Sequence, residues 1–174
     1  ERRTAALNEA MEHPDQADMD VLVEQLADRL RENPESTEGW VLLGRTYRQM
    51  NRVGEAVAAY RRALSTGAAD PNVYAEFGET AVSANGGTVT PEAESAFLAA
   101  LDLDRQEPRS RFYLGLAQAQ TGNVEDAIAI WRDLTASAPT SASWLSMVRD
   151  QMGEIAMAAG IMPMTITPRH PLDP

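Results

Sequence analysis

The stretch Trp40-Val41-Leu42-Leu43-Gly44-Arg45-Thr46-Tyr47 decides the fold, because its order of large, small and aromatic residues returns twice. Trp40, Leu43, Gly44 and Tyr47 reappear 34 positions on as Tyr74, Phe77, Gly78 and Ala81, and 37 further on as Arg111, Leu114, Gly115 and Gln118. A second set recurs with the two spacings reversed, 37 and then 34, over the same total. Ala56, Tyr60 and Ala63 are followed by Ala93, Phe97 and Ala100, then by Ala127, Trp131 and Leu134, closed by Pro139. Within each set the residues fall three or four apart, which places them on one face of a helix. Each period is therefore two short helices joined by a turn.

A period near 34 with this residue order is similar to the tetratricopeptide signature. One such helix pair cannot bury its own apolar face, so neighbouring pairs must stack. The expected fold is all-α: a tetratricopeptide-repeat superhelix with an N-terminal half-repeat and a C-terminal capping helix. Its parts are a linker or short helix over 1–17, a half-repeat over 18–34, repeats over 37–70, 71–107 and 108–141, a capping helix over 142–160, and an extended Pro-rich tail over 161–174. In the half-repeat, Val21, Leu22, Leu26 and Leu30 are expected to share the buried face, and Asn33-Pro34 stops the helix.

Punctuation supports these boundaries. Ser36 and Thr37 are candidate N-caps, and Asp70-Pro71 and Thr90-Pro91 each place a cap before a proline at the first helical position. Asn123 with Asp126 resembles a capping box with shortened partners. Gly67 suits a left-handed helix stop. The widened segment 83–89, with Gly86-Gly87, accounts for the change of period and reads as the most mobile element. Gly44, Gly78 and Gly115 are expected where paired helices cross, and Trp40, Tyr60 and Trp131 between adjacent repeats.

The chain has 15 basic and 26 acidic residues, a formal net charge of −11, and no cysteine. So acidic a surface repels phosphate backbones, which argues against nucleic acid as a partner. The lack of cysteine removes disulfides, thiolate metal sites and a thiol nucleophile. The two histidines, His13 and His170, lie in the terminal segments without metal-ligand partners at helical spacing. No phosphate-binding glycine loop and no Gly-x-Ser-x-Gly elbow is present. The reading is a non-catalytic protein-binding module with no cofactor and no metal. No run of apolar residues is long enough to span a membrane. The chain starts at Glu1 rather than Met, which reads as a fragment or processed form.

In tetratricopeptide stacks the first helix of each repeat lines the inner face. The inward positions include Val41, Arg45, Arg48 and Gln49 in repeat one, Glu79 and Val82 in repeat two, and Arg109, Phe112, Leu116, Ala119 and Gln120 in repeat three. Phe112, Leu116, Val82 and Ala119 would form an apolar strip suited to an amphipathic helix. The flanking arginines would hold carboxylates. The competing occupant is the apolar part of the tail, Ile161–Ile166, folded back over Phe112 and Leu116.

Three further stretches carry a narrower resemblance. They are Leu22-Val23-x-x-Leu26-x-x-Arg29-Leu30-x-x-Asn33-Pro34, Gly39-Trp40-x-Leu42-Leu43-Gly44-Arg45-x-Tyr47, and Gly122-Asn123-x-x-x-Ala127-Ile128-x-x-Trp131-x-x-Leu134. With the widened Gly-Gly loop, they resemble the periplasmic tetratricopeptide domain of the CcmI/CycH family of cytochrome c maturation, over about residues 18–160. The resemblance implies a membrane-anchored periplasmic chaperone. Its client is the C-terminal helix of an apocytochrome c, which it holds for the haem ligation complex. The membrane would be reached only through segments outside this chain. Arg45 matches the motif and faces the groove. The alternative is a generic repeat scaffold that assembles an envelope complex.

Overall fold

The computed structural model describes residues 14–173, with side chains from residue 19 onward. Eight α-helices and one 3₁₀ turn make up the described chain: α1 Pro14–Glu32, α2 Thr37–Gln49, α3 Val53–Ser65, α4 Pro71–Ala84, α5 Pro91–Leu103, α6 Pro108–Gln120, α7 Val124–Ser137, α8 Leu145–Ala159, and the 3₁₀ turn Pro163–Thr165. Among the described residues there is no strand. The chain divides into two compact units, Glu1–Ala68 and Ala69–Pro174.

In the first unit, α1 buries Val23, Ala27 and Leu30, while Val21 and Leu22 stay exposed. Leu30 is buried and Leu26 half-buried as expected, but Val23 and Ala27 stand on that face in place of Val21 and Leu22. The expected short helix before residue 14 lies outside the described residues. α1 itself begins at Pro14 rather than Asp18, because proline is tolerated in a first turn that needs no donor from it. The Trp40 indole donates to the Pro34 carbonyl at 2.8 Å, tying the end of α1 to α2. Ser36 caps α2, accepting from the Gly39 amide at 3.2 Å. Thr37 instead donates to the Thr66 carbonyl at 3.2 Å, across the helix pair.

The paired glycine and aromatic positions explain each repeat. A Cβ at Gly44 would meet the Tyr60 ring at 3.1 Å, one at Gly78 the Phe97 ring at 2.5 Å, and one at Gly115 the Trp131 indole at 2.4 Å. Tyr60, Phe97 and Trp131 are all fully buried. The second-helix ring thus lies in a slot over the first-helix glycine of its own repeat. Trp131 also clusters with Val148 of α8, so this ring serves the next element as well as its own glycine.

In the second unit, Asp70 caps α4 through the Asn72 amide at 2.8 Å, and Thr90 caps α5 through the Ala93 amide at 3.3 Å. Each such cap contributes about 1 kcal/mol. The expected box at Asn123 does not form. Its side chain makes no cap bond and donates back to Gln118 at 3.0 Å. The α2–α3 turn places Asn51 at φ 58, and the α6–α7 turn places Gly122 at φ 85. Asparagine and glycine are the residues that enter this region most readily. α8 begins at Leu145, after a turn over 139–142, and ends in Gly160 at φ 68.

Candidate functional site

Each unit presents its own part of the expected inner face. On α2 of the first unit, Arg45, Arg48 and Gln49 are exposed, whereas Val41 is buried. Leu42, not singled out from the sequence, is 56% exposed on the same helix. Behind α2, Arg52 draws together groups from three helices. It bonds Glu24 at 2.9 Å and Glu55 at 3.0 Å, and its guanidinium lies 4.6 Å from the centre of the Tyr47 ring. Burial alone would lower the Arg52 pKa, but the hydrogen bonds to Glu24 and Glu55 outweigh it and raise it. Burial likewise would raise the Glu55 pKa, but the Arg52 hydrogen bond, a bond from its own backbone and the Arg52 charge together outweigh it and lower it. Burial, with Glu24 nearby, pushes the Tyr47 hydroxyl up.

The second unit holds the apolar part. Phe112, Leu116 and Ala119 are half-buried and pack on the core of Ala127, Ile130, Trp131, Leu134 and Val148. Phe112 stacks on Trp131 with ring centres 5.7 Å apart, and the Trp131 indole donates to the Phe112 carbonyl at 2.9 Å. The strip is therefore the partly open edge of the α6–α7–α8 core rather than a free patch. Val82 is 4% exposed and so belongs to the core instead of the strip. Glu79 is half-buried on α4.

Two polar candidates already serve the fold. Arg109 donates to Glu107 and to Asn72, both at 2.9 Å. Glu107 in turn caps α6 by accepting from the Ser110 amide at 2.6 Å. Gln120 spans the widened loop: its amide donates to the Gly87 carbonyl at 2.7 Å, and its oxygen accepts from the Val89 amide at 2.9 Å. These bonds brace the segment read from its glycines as the most mobile. Arg111, at the register of Trp40 and Tyr74, is 2% exposed and pairs with Asp133 while donating to Ser137 at 2.8 Å. The sequence puts an arginine at this core position but does not show that Asp133 and Ser137 receive it.

The tail does not cover Phe112 and Leu116. After Gly160 it turns through the 3₁₀ segment and runs along α7. The Arg132 guanidinium donates to the carbonyls of Met164 and Ile166. The Arg169 amide donates to the Ala129 carbonyl at 3.1 Å, and its side chain pairs with Asp126 at 2.6 Å. His170 is buried, with Nε2 2.8 Å from the Arg105 carbonyl and Nδ1 accepting from the Leu172 amide at 3.2 Å. The apolar strip on α6 thus stays clear of its own tail.

Among the described residues no group of three or more His, Asp or Glu is placed to hold a metal ion. None of the described helices is long and apolar enough to cross a membrane.

Residues 1–143 match the family model for the cytochrome c-type biogenesis protein H TPR domain. The chain is 39% identical over 141 residues to cytochrome c-type biogenesis protein CycH of Rhizobium meliloti strain 1021, covering 81% of this chain and 37% of that protein. It is 35% identical to the CycH of Bradyrhizobium diazoefficiens, covering 82% of this chain and 38% of the relative. The chain thus spans well under half the length of these relatives. Its fold is similar to the crystal structure of MamA, with a TM-score of 0.71 at 17% identity over 86% of this chain and 84% of that one. The chain belongs to the family of cytochrome c-type biogenesis protein H TPR domains.

Proposed function

We propose that this chain is a non-catalytic holding module of cytochrome c maturation. It receives the amphipathic C-terminal helix of an apocytochrome c and keeps it available to the haem ligation complex. The observation that carries this reading is the Phe112–Leu116–Ala119 edge, half-buried and clear of the chain's own tail. A client helix laid there would finish burying that edge; Phe112 and Leu116 are already half-buried, so each would contribute roughly half of the ~1.5–3 kcal/mol that full burial of such a side chain gives. The exposed Arg45, Arg48 and Gln49 of α2 offer a separate polar contact set for the first unit. Family membership supports the setting, and the acidic charge of −11 suits a basic client. In this reading the module works in the periplasm, anchored to the inner membrane by segments outside the chain. Arg109, Gln120 and Val82 act indirectly, by fixing α6 and the widened loop.

Leu116→Gln and Arg45→Glu test the assignment. Each is expected to weaken a client-helix peptide about tenfold or more, with helical circular dichroism intact. If both variants fold and bind like the parent chain, these helices are not the receiving surface.

A further inference from the structure

The strap on α7 shows, within this molecule, how a second helix of a repeat receives an extended segment. Three α7 residues do it: Asp126 takes the Arg169 guanidinium, the Ala129 carbonyl takes the Arg169 amide, and Arg132 takes two backbone carbonyls. Those carbonyls belong to Met164 and Ile166, five and three residues before Arg169. The receptor set is thus acid, alanine, arginine at spacings of three, on one outward helix face.

The repeat register carries this set to one other helix. Stepping back 71 positions, two periods, gives Glu55, Ala58 and Arg61 on α3. Stepping back 34 gives Glu92, Ser95 and Leu98 on α5, where the arginine is lost. Glu55, Ala58 and Arg61 are all exposed. Glu55 already bonds Arg52, yet a carboxylate accepts more than one donor. Beside the set lies a cleft of 270 Å³, floored by Trp40, Leu43 and Ala59 and edged by Arg62. On α7 the strap runs on past the receptor set to bury His170 against the turn before α6. A segment following the same course on α3 would have this cleft for its next side chain.

We propose that the Glu55–Ala58–Arg61 face of α3 is a second docking site, distinct from the inner face. Its ligand is an extended, proline-interrupted segment of another polypeptide that carries one arginine. That arginine pairs with Glu55, and the carbonyls three and five residues before it accept from Arg61. A basic segment also suits the acidic chain.

The test uses the intact chain and a peptide of residues 161–174, because the chain's own tail keeps the α7 site filled. Calorimetry is expected to give saturable 1:1 binding. Arg61→Glu and, separately, Ala58→Arg are expected to weaken it more than tenfold. Glu55→Arg should lose the parent peptide and recover binding to a peptide bearing Arg169→Glu. No saturable binding, or binding that the α3 substitutions leave unchanged, overturns the proposal. Dimerisation of the intact chain that Arg61→Glu abolishes would put a second copy's tail in the site and overturn the assignment to another polypeptide.

Discussion

Gly115→Ala and Gly153→Ala form a pair in which one added methyl group should move stability in opposite directions. Both glycines lie in helices of the second unit. At Gly115 the new Cβ would sit 2.4, 2.7 and 2.9 Å from three atoms of the Trp131 indole. Carbon contacts settle near 3.5–4.0 Å, so the overlap is about 1 Å. The indole has little freedom to retreat, since it is fully buried and its nitrogen is bonded to the Phe112 carbonyl. Overpacking costs about 1–3 kcal/mol, and this geometry belongs at the upper end. Replacing glycine by alanine in a helix recovers about 0.8–1.0 kcal/mol, leaving a net loss near 2 kcal/mol. At Gly153 nothing lies within 4 Å of the new atom. Only the helix term remains, a gain of about 0.8–1.0 kcal/mol. Urea unfolding followed by circular dichroism reads both. With a slope of about 2 kcal/mol per molar, Gly115→Ala should lower the midpoint by about 1 M and Gly153→Ala raise it by about 0.5 M. A Gly115→Ala midpoint equal to or above that of the parent chain would refute the slot that pairs each glycine with a ring.

Other predictions follow from the same packing. Arg111→Ala leaves Asp133 without its buried partner; loss of one member of such a pair costs about 3–5 kcal/mol, and the part-exposed carboxylate places this one near 3, by urea unfolding. Trp40→Phe keeps most of the ring but removes the bond to the Pro34 carbonyl, and should cost the first unit about 1 kcal/mol in the same assay. Glu55 has a lowered pKa in the folded chain, so its contribution is intact above the ordinary carboxylate range and is lost as pH falls through the lowered value. A pH series of thermal melts should show that acid loss diminished in Arg52→Ala.

The repeat and the caps at Ser36, Asp70 and Thr90 were legible because their causes are local. A glycine that must admit a ring, and a proline that must follow a cap, each leave a residue type at a fixed place. The candidate site was legible only in part, because side-chain commitments depend on partners distant in sequence. Arg109 reads as a free cation until Asn72, 37 residues away, is found accepting from it. Gln120 reads as an inward polar contact until its bonds to Gly87 and Val89 appear. The face of α1 is ambiguous in the sequence because Val21 and Leu22 fit a helical period as well as Val23 and Ala27 do, and only the position of α2 distinguishes them. The course of the tail rests on Arg132, which the repeat pattern marks merely as an outward position.

The proposed holding role requires the chain to bind the terminal helix of an apocytochrome c. Calorimetry of the chain with a peptide of that helix, and with a scrambled peptide of the same composition, tests it most directly. The native peptide is expected to bind saturably at one per chain, and the scrambled peptide to show no saturable binding. Equal binding of the two, or binding of neither, would contradict it.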